Sequence, residues 1–280
     1  MPATVPLHCK HSFAILAVFA AVTPLAVHAQ ISGSGGAPAY TAQSIVNAAT
    51  QTVEALAPNT IATLYGTNLA DSTRAVASTD IVGGLMPTSL NGVGVWVNGI
   101  ACSLFLISPT QINFLVPYKL TAGTVSVLVA RDSLAGPTVS IQLNNTSPGL
   151  FLWNGNQAVG VHLNGRVISA AAPAVPGEIV ILYAAGLGRT SPDTTSGQLA
   201  TSAFQIYYAS QLQLLFNGSP APAGTVLYAG LAPGFAGLYQ INVQLPASLT
   251  ANPLIQLSIG PQSSPASIQL IVQPLALATQ

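Results

Sequence analysis

The chain has 280 residues, half of them hydrophobic and only 4% charged, with 6 basic and 6 acidic side chains cancelling to a formal net charge of zero. Soluble domains typically carry about 25% charged residues, so this chain offers no basic patch for nucleic acid, no cationic face for an anionic membrane, and neither the low hydrophobicity nor the high net charge of disorder. Its apolar residues are not gathered into membrane spans either: beyond the N-terminus, Gly, Pro, Asn, Ser and Thr interrupt every run before the ~20 residues a spanning helix needs.

The first segment reads as a targeting device. Lys10, with His8 and His11, precedes the apolar run 13–25, and Val27-His28-Ala29 sets small residues at the −3 and −1 positions of a signal-peptidase site. The expected signal peptide is residues 1–29, followed by Gln30 as the new N-terminus, and it implies a secreted or cell-envelope protein. Cys9 leaves with the signal. Cys102 then has no partner for a disulfide, so packing must hold the exported chain together, and its place in the strand-like run 100–107 suits a buried inert thiol. Residues 30–43, rich in Gly, Ser, Ala and Pro, read as a flexible leader. Helical period is confined to 42–56, where Val, Thr and Asn argue against a helix.

The remainder alternates short β-branched runs with turn residues, the pattern of an all-β sandwich. Val93-Gly94-Val95-Trp96-Val97 is followed by Asn98-Gly99, the run 124–129 by Arg131-Asp132, and the run 204–216 by Asn217-Gly218. Asn-Gly accepts the positive φ angles of tight hairpins, so these are expected hairpin turns.

An internal repeat organises these runs. Ala57-Pro58-Asn59-Thr60-Ile61-Ala62-Thr63-Leu64-Tyr65 aligns with Val175-Pro176-Gly177-Glu178-Ile179-Val180-Ile181-Leu182-Tyr183. Then Val97-Asn98-Gly99 meets Phe216-Asn217-Gly218, Gln111-Ile112-Asn113 meets Gln240-Ile241-Asn242, and Ser140-Ile141-Gln142-Leu143 meets Ser267-Ile268-Gln269-Leu270. Four matches in one order argue for duplication. The expected architecture is two tandem immunoglobulin-like β-sandwich domains, residues 44–146 and 175–275, with a linker 147–174 holding an inter-repeat β-hairpin around Leu163-Asn164-Gly165 and a tail 276–280. Alternation assigns Ile61, Thr63 and Tyr65, and likewise Ile179, Ile181 and Tyr183, to the core faces. The lengthening of the second repeat is placed in an enlarged loop around 222–233.

Several of these stretches resemble the Solibacter-type uncharacterised carboxy-terminal domain, a family of exported, mainly acidobacterial proteins. The resemblance is carried by Val46-Asn47-Ala48-Ala49, Leu64-Tyr65-Gly66-Thr67-Asn68-Leu69, Ser108-Pro109-Thr110-Gln111-Ile112-Asn113-Phe114 and Pro148-Gly149-Leu150-Phe151. It continues through Leu182-Tyr183-Ala184-Ala185-Gly186-Leu187-Gly188, Tyr228-Ala229-Gly230-Leu231-Ala232-Pro233-Gly234 and Leu238-Tyr239-Gln240-Ile241-Asn242-Val243. It implies immunoglobulin or IPT/TIG-like modules on the outside of the cell and brings no catalytic site with it.

Chemistry is scarce in the mature chain. His162 is its one histidine, so a Ser-His-Asp triad would need it together with Asp132, Asp193 or Glu178, and no Gly-x-Ser-x-Gly elbow is present. Asp71 and Asp80 share one loop and could act as a carboxylate pair; with Asn68 and Ser72 they form the best available calcium cage, though calcium prefers six to eight oxygens. One histidine and one cysteine cannot build a zinc site, and no Gly-rich phosphate loop follows a strand. Stacking surfaces are better represented: Trp153, beside Asn154-Gly155-Asn156, and the pair Tyr207 and Tyr208 are the candidate ligand-stacking residues. Trp96 sits between two valines on a side that alternation does not decide. The expected function is a secreted or cell-surface non-catalytic structural or interaction module with a protein or glycan partner at the envelope, no nucleic acid, no cofactor and no membrane span after signal cleavage. A carbohydrate-binding or adhesion module using exposed aromatics is the alternative, and an extracellular hydrolase is a third reading.

Overall fold

The computed structural model describes residues 35–273, so the expected signal 1–29 and the tail 276–280 lie outside the described residues. Regular structure within them is β, relieved only by three-residue 3-10 turns at Ala42–Ser44, Ser78–Asp80 and Ala209–Gln211. The helical period of 42–56 resolves into the first of these turns and the strand Ile45–Asn47.

The strands form four sheets, two for each immunoglobulin-like sandwich. In the first sandwich one sheet runs in the order Ile45–Asn47, Ile61–Tyr65, Gln111–Leu115, Ser103–Ile107, Arg74–Ala75. The facing sheet runs Val139–Leu143, Gly123–Arg131, Val93–Val97, Ile100–Ala101. Leu64, Leu104, Ile112 and Phe114 from one sheet and Val93, Val95, Val97, Val127 and Val129 from the other close a single buried core. The second sandwich is built alike, with Ile179–Ala185, Tyr239–Gln244 and Val226–Leu231 adjacent in one sheet and Ile268–Gln269, Leu254–Ile259 and Leu212–Phe216 in the other.

Duplication is written into the register. In the first copy Thr63 pairs with Asn113 and Tyr65 with Gln111; in the second Ile181 pairs with Asn242 and Tyr183 with Gln240. Within each pairing the glutamine amide donates to the asparagine two residues on, Gln111 to Asn113 at 2.9 Å and Gln240 to Asn242 at 3.1 Å. The next strand carries a β-bulge at the same rung, between Leu104 and Leu106 in one copy and between Val226 and Tyr228 in the other. Each copy also has a parallel bridge near its ends: Leu56 with Leu143, flanked by bonds to Gln142 and Asn144, and Ala174 with Val272, flanked by bonds to Ile271 and Gln273. Both Asn-Gly turns have left-handed backbone at both residues. Each asparagine carboxamide then caps the neighbouring strand, Asn98 at Ser126 N–H and Asn217 at Leu254 N–H.

Four sequence expectations need correction. The core faces of the strands after Pro58 and Pro176 have the opposite parity: Ala62 and Leu64, and Val180, Leu182 and Ala184, fill the sandwich cores. Ile61, Ile181 and Tyr183 instead face a third cluster shared by the two sandwiches. Alternation misleads because both faces of these strands are covered, so both parities are apolar. The leader is tied down from Gly36 onward: Gly36 O accepts from Arg131, Ala39 pairs with Thr67, and the Tyr40 hydroxyl donates to Pro137 O at 2.6 Å and accepts from Val129 N–H at 2.7 Å. The stretch 147–174 is more than a linker, because Gly160–His162 pairs with Ile179–Ala185 in the register that Ile45–Asn47 uses on Ile61–Tyr65. Lastly, the extra residues of the second copy are split. Ile112 pairs with Ile107 where Ile241 pairs with Ala229, so part of the insertion precedes the bulged strand and the rest lengthens the hairpin after it.

The third cluster joins the sandwiches. It holds Ile61, Met86 and Leu115 from the first copy and Phe151, Tyr183, Ala185 and Leu238 from the second, all buried. The loop 78–92 reaches across: Leu85 bridges Gln198, and Met86 and Gly84 exchange backbone hydrogen bonds with Gly197 and Leu199.

Candidate functional site

The junction creates a groove whose walls come from both copies. On one side stand Leu120, Thr121 and Asn145 of the first sandwich; on the other stand Arg189, Tyr207 and Tyr208 of the second, around a cavity of ≈ 380 Å³. Asn145 and Tyr208 also line an adjoining cavity of ≈ 200 Å³ that continues past Gln211 and Gln262. Single small-molecule pockets span about 300–1,000 Å³, so the combined groove is of ligand size.

Its aromatic wall follows from local structure. Gln205–Ile206 forms a short strand that buries Ile206, and the chain turns into the 3-10 helix Ala209–Gln211, leaving Tyr207 on the outside with 65% of its surface exposed. Tyr208 packs against the second core while its ring meets Tyr207 edge to face, centroids 5.1 Å apart and planes at 84°.

Two further tyrosines pin the copies together, one of them in contact with Arg189 of the groove wall. The buried Tyr118 hydroxyl donates to Asp193 Oδ1 at 2.6 Å and accepts from Thr190 N–H at 3.2 Å, while the Arg189 guanidinium lies 5.5 Å from the Tyr118 ring centroid and pairs with Asp193. The bond from Tyr118, with the adjacent Arg189, holds the Asp193 carboxyl below the usual carboxylate range. Deeper, Tyr239 is fully buried: its hydroxyl accepts from the Asn59 amide at 2.9 Å and donates to Gly188 O. Burial pushes this phenol up from its ordinary value, so it stays a neutral donor.

The sequence-predicted stacking residues do not form one set. Tyr207 and Tyr208 meet in the groove, but Trp153 does not join them. Trp153 pairs with Gln157, which pairs with Gln269 opposite Leu254, at the far end of the strand whose Ile259 end lines the groove. Trp96 faces away from its sandwich core, its ring lying over Gly94, where a Cβ would come within 2.6 Å of it.

The residues considered for chemistry are engaged elsewhere. His162 Nδ1 lies 2.5 Å from Glu178 Oε1 and Nε2 lies 3.1 Å from Ala172 O, while Glu178 Oε2 accepts from Val175 N–H. Both ring nitrogens thus face acceptors, fastening the first strand of the second sandwich to the segments beside it. Asp71 and Asp80 are turned to different guanidiniums, Arg131 at 2.8 Å and Arg74 at 2.6 Å, so the loop does not assemble them into a cage. Among the described residues no three His, Cys, Asp or Glu side chains come together. Cys102 is buried, and desolvation drives its thiol well above the ordinary range, which disfavours the reactive thiolate. Sequence reading missed Asn145, Arg189 and Thr121, whose convergence depends on how the two copies dock.

No helix of the described residues is long and apolar enough to cross a membrane. No family model matches the chain. No curated protein matches it either. Among solved structures it is similar to the extracellular region of Plexin A4, at 12% identity and TM-score 0.26, covering 84% of this chain and 18% of that one. It is also similar to SGBP-B of the Bacteroides ovatus mixed-linkage glucan utilization locus, in complex with a mixed-linkage heptasaccharide, at 9% identity and TM-score 0.29, covering 79% of this chain and 43% of that one. A third similarity is to the tandem Ig repeats of Dlar, at 10% identity and TM-score 0.20, covering 65% and 82%. The chain spans less than half the length of the first two. Strand order and register make the chain two immunoglobulin-like sandwiches in tandem, two copies of one unit.

Proposed function

We propose that the chain is a non-catalytic interaction module of the cell exterior, in which two immunoglobulin-like sandwiches act as one stiff arm that displays a binding face. The observation that carries this reading is the junction: a shared buried cluster, the Asn59–Tyr239–Gly188 bonds and the Tyr118–Asp193 bond fix the copies relative to one another. A loose tether would serve a chain whose domains act separately; a locked junction serves one that holds partners at a set distance and angle. The cell exterior is supported by Lys10, the apolar run 13–25 and Val27-His28-Ala29, and by the resemblance to Solibacter-type domains.

The experiment pairs the purified exported protein with polysaccharide and peptide substrates. The expected result is no turnover by the wild type and none by His162→Ala. Hydrolysis that disappears in His162→Ala would replace the module reading with an enzyme.

A further inference from the structure

Resting on the interaction-module reading, we propose that the junction groove binds a neutral oligosaccharide, which stacks on Tyr207 and takes hydrogen bonds from Asn145, Gln211 and Gln262. Four observations converge. Tyr207 presents a ring 65% exposed at the rim, braced edge-on by Tyr208, which suits the apolar face of a pyranose. Asn145, Gln211 and Gln262 line the groove with carboxamides that offer both donors and acceptors, the pairing that hydroxyls on a sugar ring require.

Charge supplies the third argument. Arg189 is the charged side chain on the groove walls, and its guanidinium is already paired with Asp193, so the groove carries no surplus charge for an acidic ligand. The fourth is shape: two cavities of ≈ 380 and ≈ 200 Å³ share Asn145 and Tyr208, giving an elongated trough suited to a chain of sugar units more than to one compact ligand. A further cavity of ≈ 390 Å³ in the second sandwich is lined mainly by the aliphatic Leu212, Leu214, Val226 and Leu227 and by the Ala, Pro and Gly of the 220–224 turn. Its one aromatic, Tyr228, is folded back against Gly230 and bonds to Leu231 O, so it offers no stacking face.

The full chain is titrated with cellohexaose, xylohexaose, mannohexaose and maltohexaose, with hexagalacturonate as the acidic comparator, by calorimetry and by amide chemical-shift mapping. Saturable binding of at least one neutral hexasaccharide is expected, with shifts at Asn145, Tyr208 and Gln262. Tyr207→Ala should weaken it about tenfold while Tyr207→Phe keeps it, because the ring face and not the hydroxyl makes the contact. Trp153→Ala, at the other end of its sheet, should leave affinity unchanged. Tyr207 is exposed, so unchanged melting of Tyr207→Ala separates lost binding from lost folding. Failure to bind any of the four neutral sugars, stronger binding of hexagalacturonate than of all of them, or equal affinity in Tyr207→Ala overturns the proposal. If no sugar binds and the chain still associates undiminished with cell-envelope fractions, the groove proposal falls and the interaction-module reading stands.

Discussion

Tyr118 and Tyr239 both cross the junction, yet they do different work. Tyr118 reaches a carboxylate at the surface, where water competes, whereas Tyr239 is sealed among apolar side chains with its hydroxyl shared between Asn59 and Gly188. Removing a buried hydroxyl strands both partners, which cannot recover their bonds from solvent. Tyr239→Phe is therefore expected to cost about 1–3 kcal/mol in urea unfolding. Asn59→Ala added to it should cost less than Asn59→Ala alone, because the bond is already gone and only the penalty for alanine at its left-handed φ of 63° is left; fully additive losses would show that the two side chains do not act through one another. At this scale the sequence was only partly readable. Tyr207 and Tyr208 stand out by composition, but nothing in the neighbourhood of Asn145 or Arg189 announces that these residues face them, because that depends on a fold bringing positions 120, 145 and 207 to one place.

Turns and strands show where local chemistry suffices and where it does not. Asn98-Gly99 and Asn217-Gly218 were legible because the left-handed geometry is demanded and met within two residues. Strand parity after Pro58 was not, since a strand covered on both faces has no polar side to mark its orientation. The leader misled for a related reason: a short run of Gly, Ser, Ala and Pro looks loose unless one knows which edge receives it. Glycines test the same distinction. Gly186 and Gly218 both have positive φ, but a Cβ on Gly186 would stand 1.9 Å from Ser147 O, while a Cβ on Gly218 meets nothing within 4 Å. Gly218→Ala should cost only the left-handed penalty of about 1–2 kcal/mol. Gly186→Ala should cost about 3 kcal/mol or more, because it also displaces Ser147, whose N–H bonds Gly186 O. Equal losses in denaturant titrations would mean the 147–149 segment yields freely.

For the molecule as a whole, the question is whether two cores unfold as one. Each sandwich has its own buried core, and the third cluster ties them with Ile61, Leu115, Tyr183 and Leu238. Leu238 is 1% exposed, so Leu238→Asp sets an unpaired carboxylate into that cluster and should part the copies while sparing both cores. Calorimetry is expected to show a single transition for the wild type and two for Leu238→Asp. A single, lowered transition in the variant would mean that the copies depend on each other for folding as well as for alignment. The doubled plan itself was plain from the ordered repeats. What the second copy added, a longer hairpin and a groove-facing tyrosine pair, lies where the copies differ and so had no counterpart to be recognised by.

The parallel bridges at Leu56 with Leu143 and at Ala174 with Val272 have a mechanical consequence. When the chain is pulled from its two ends, the partners in each bridge are drawn in opposite senses along a common line. The hydrogen bonds on either side of Leu56, and likewise of Ala174, are strained together in shear instead of being peeled apart one after another. Each copy is thus fastened at its rim against tension along the chain.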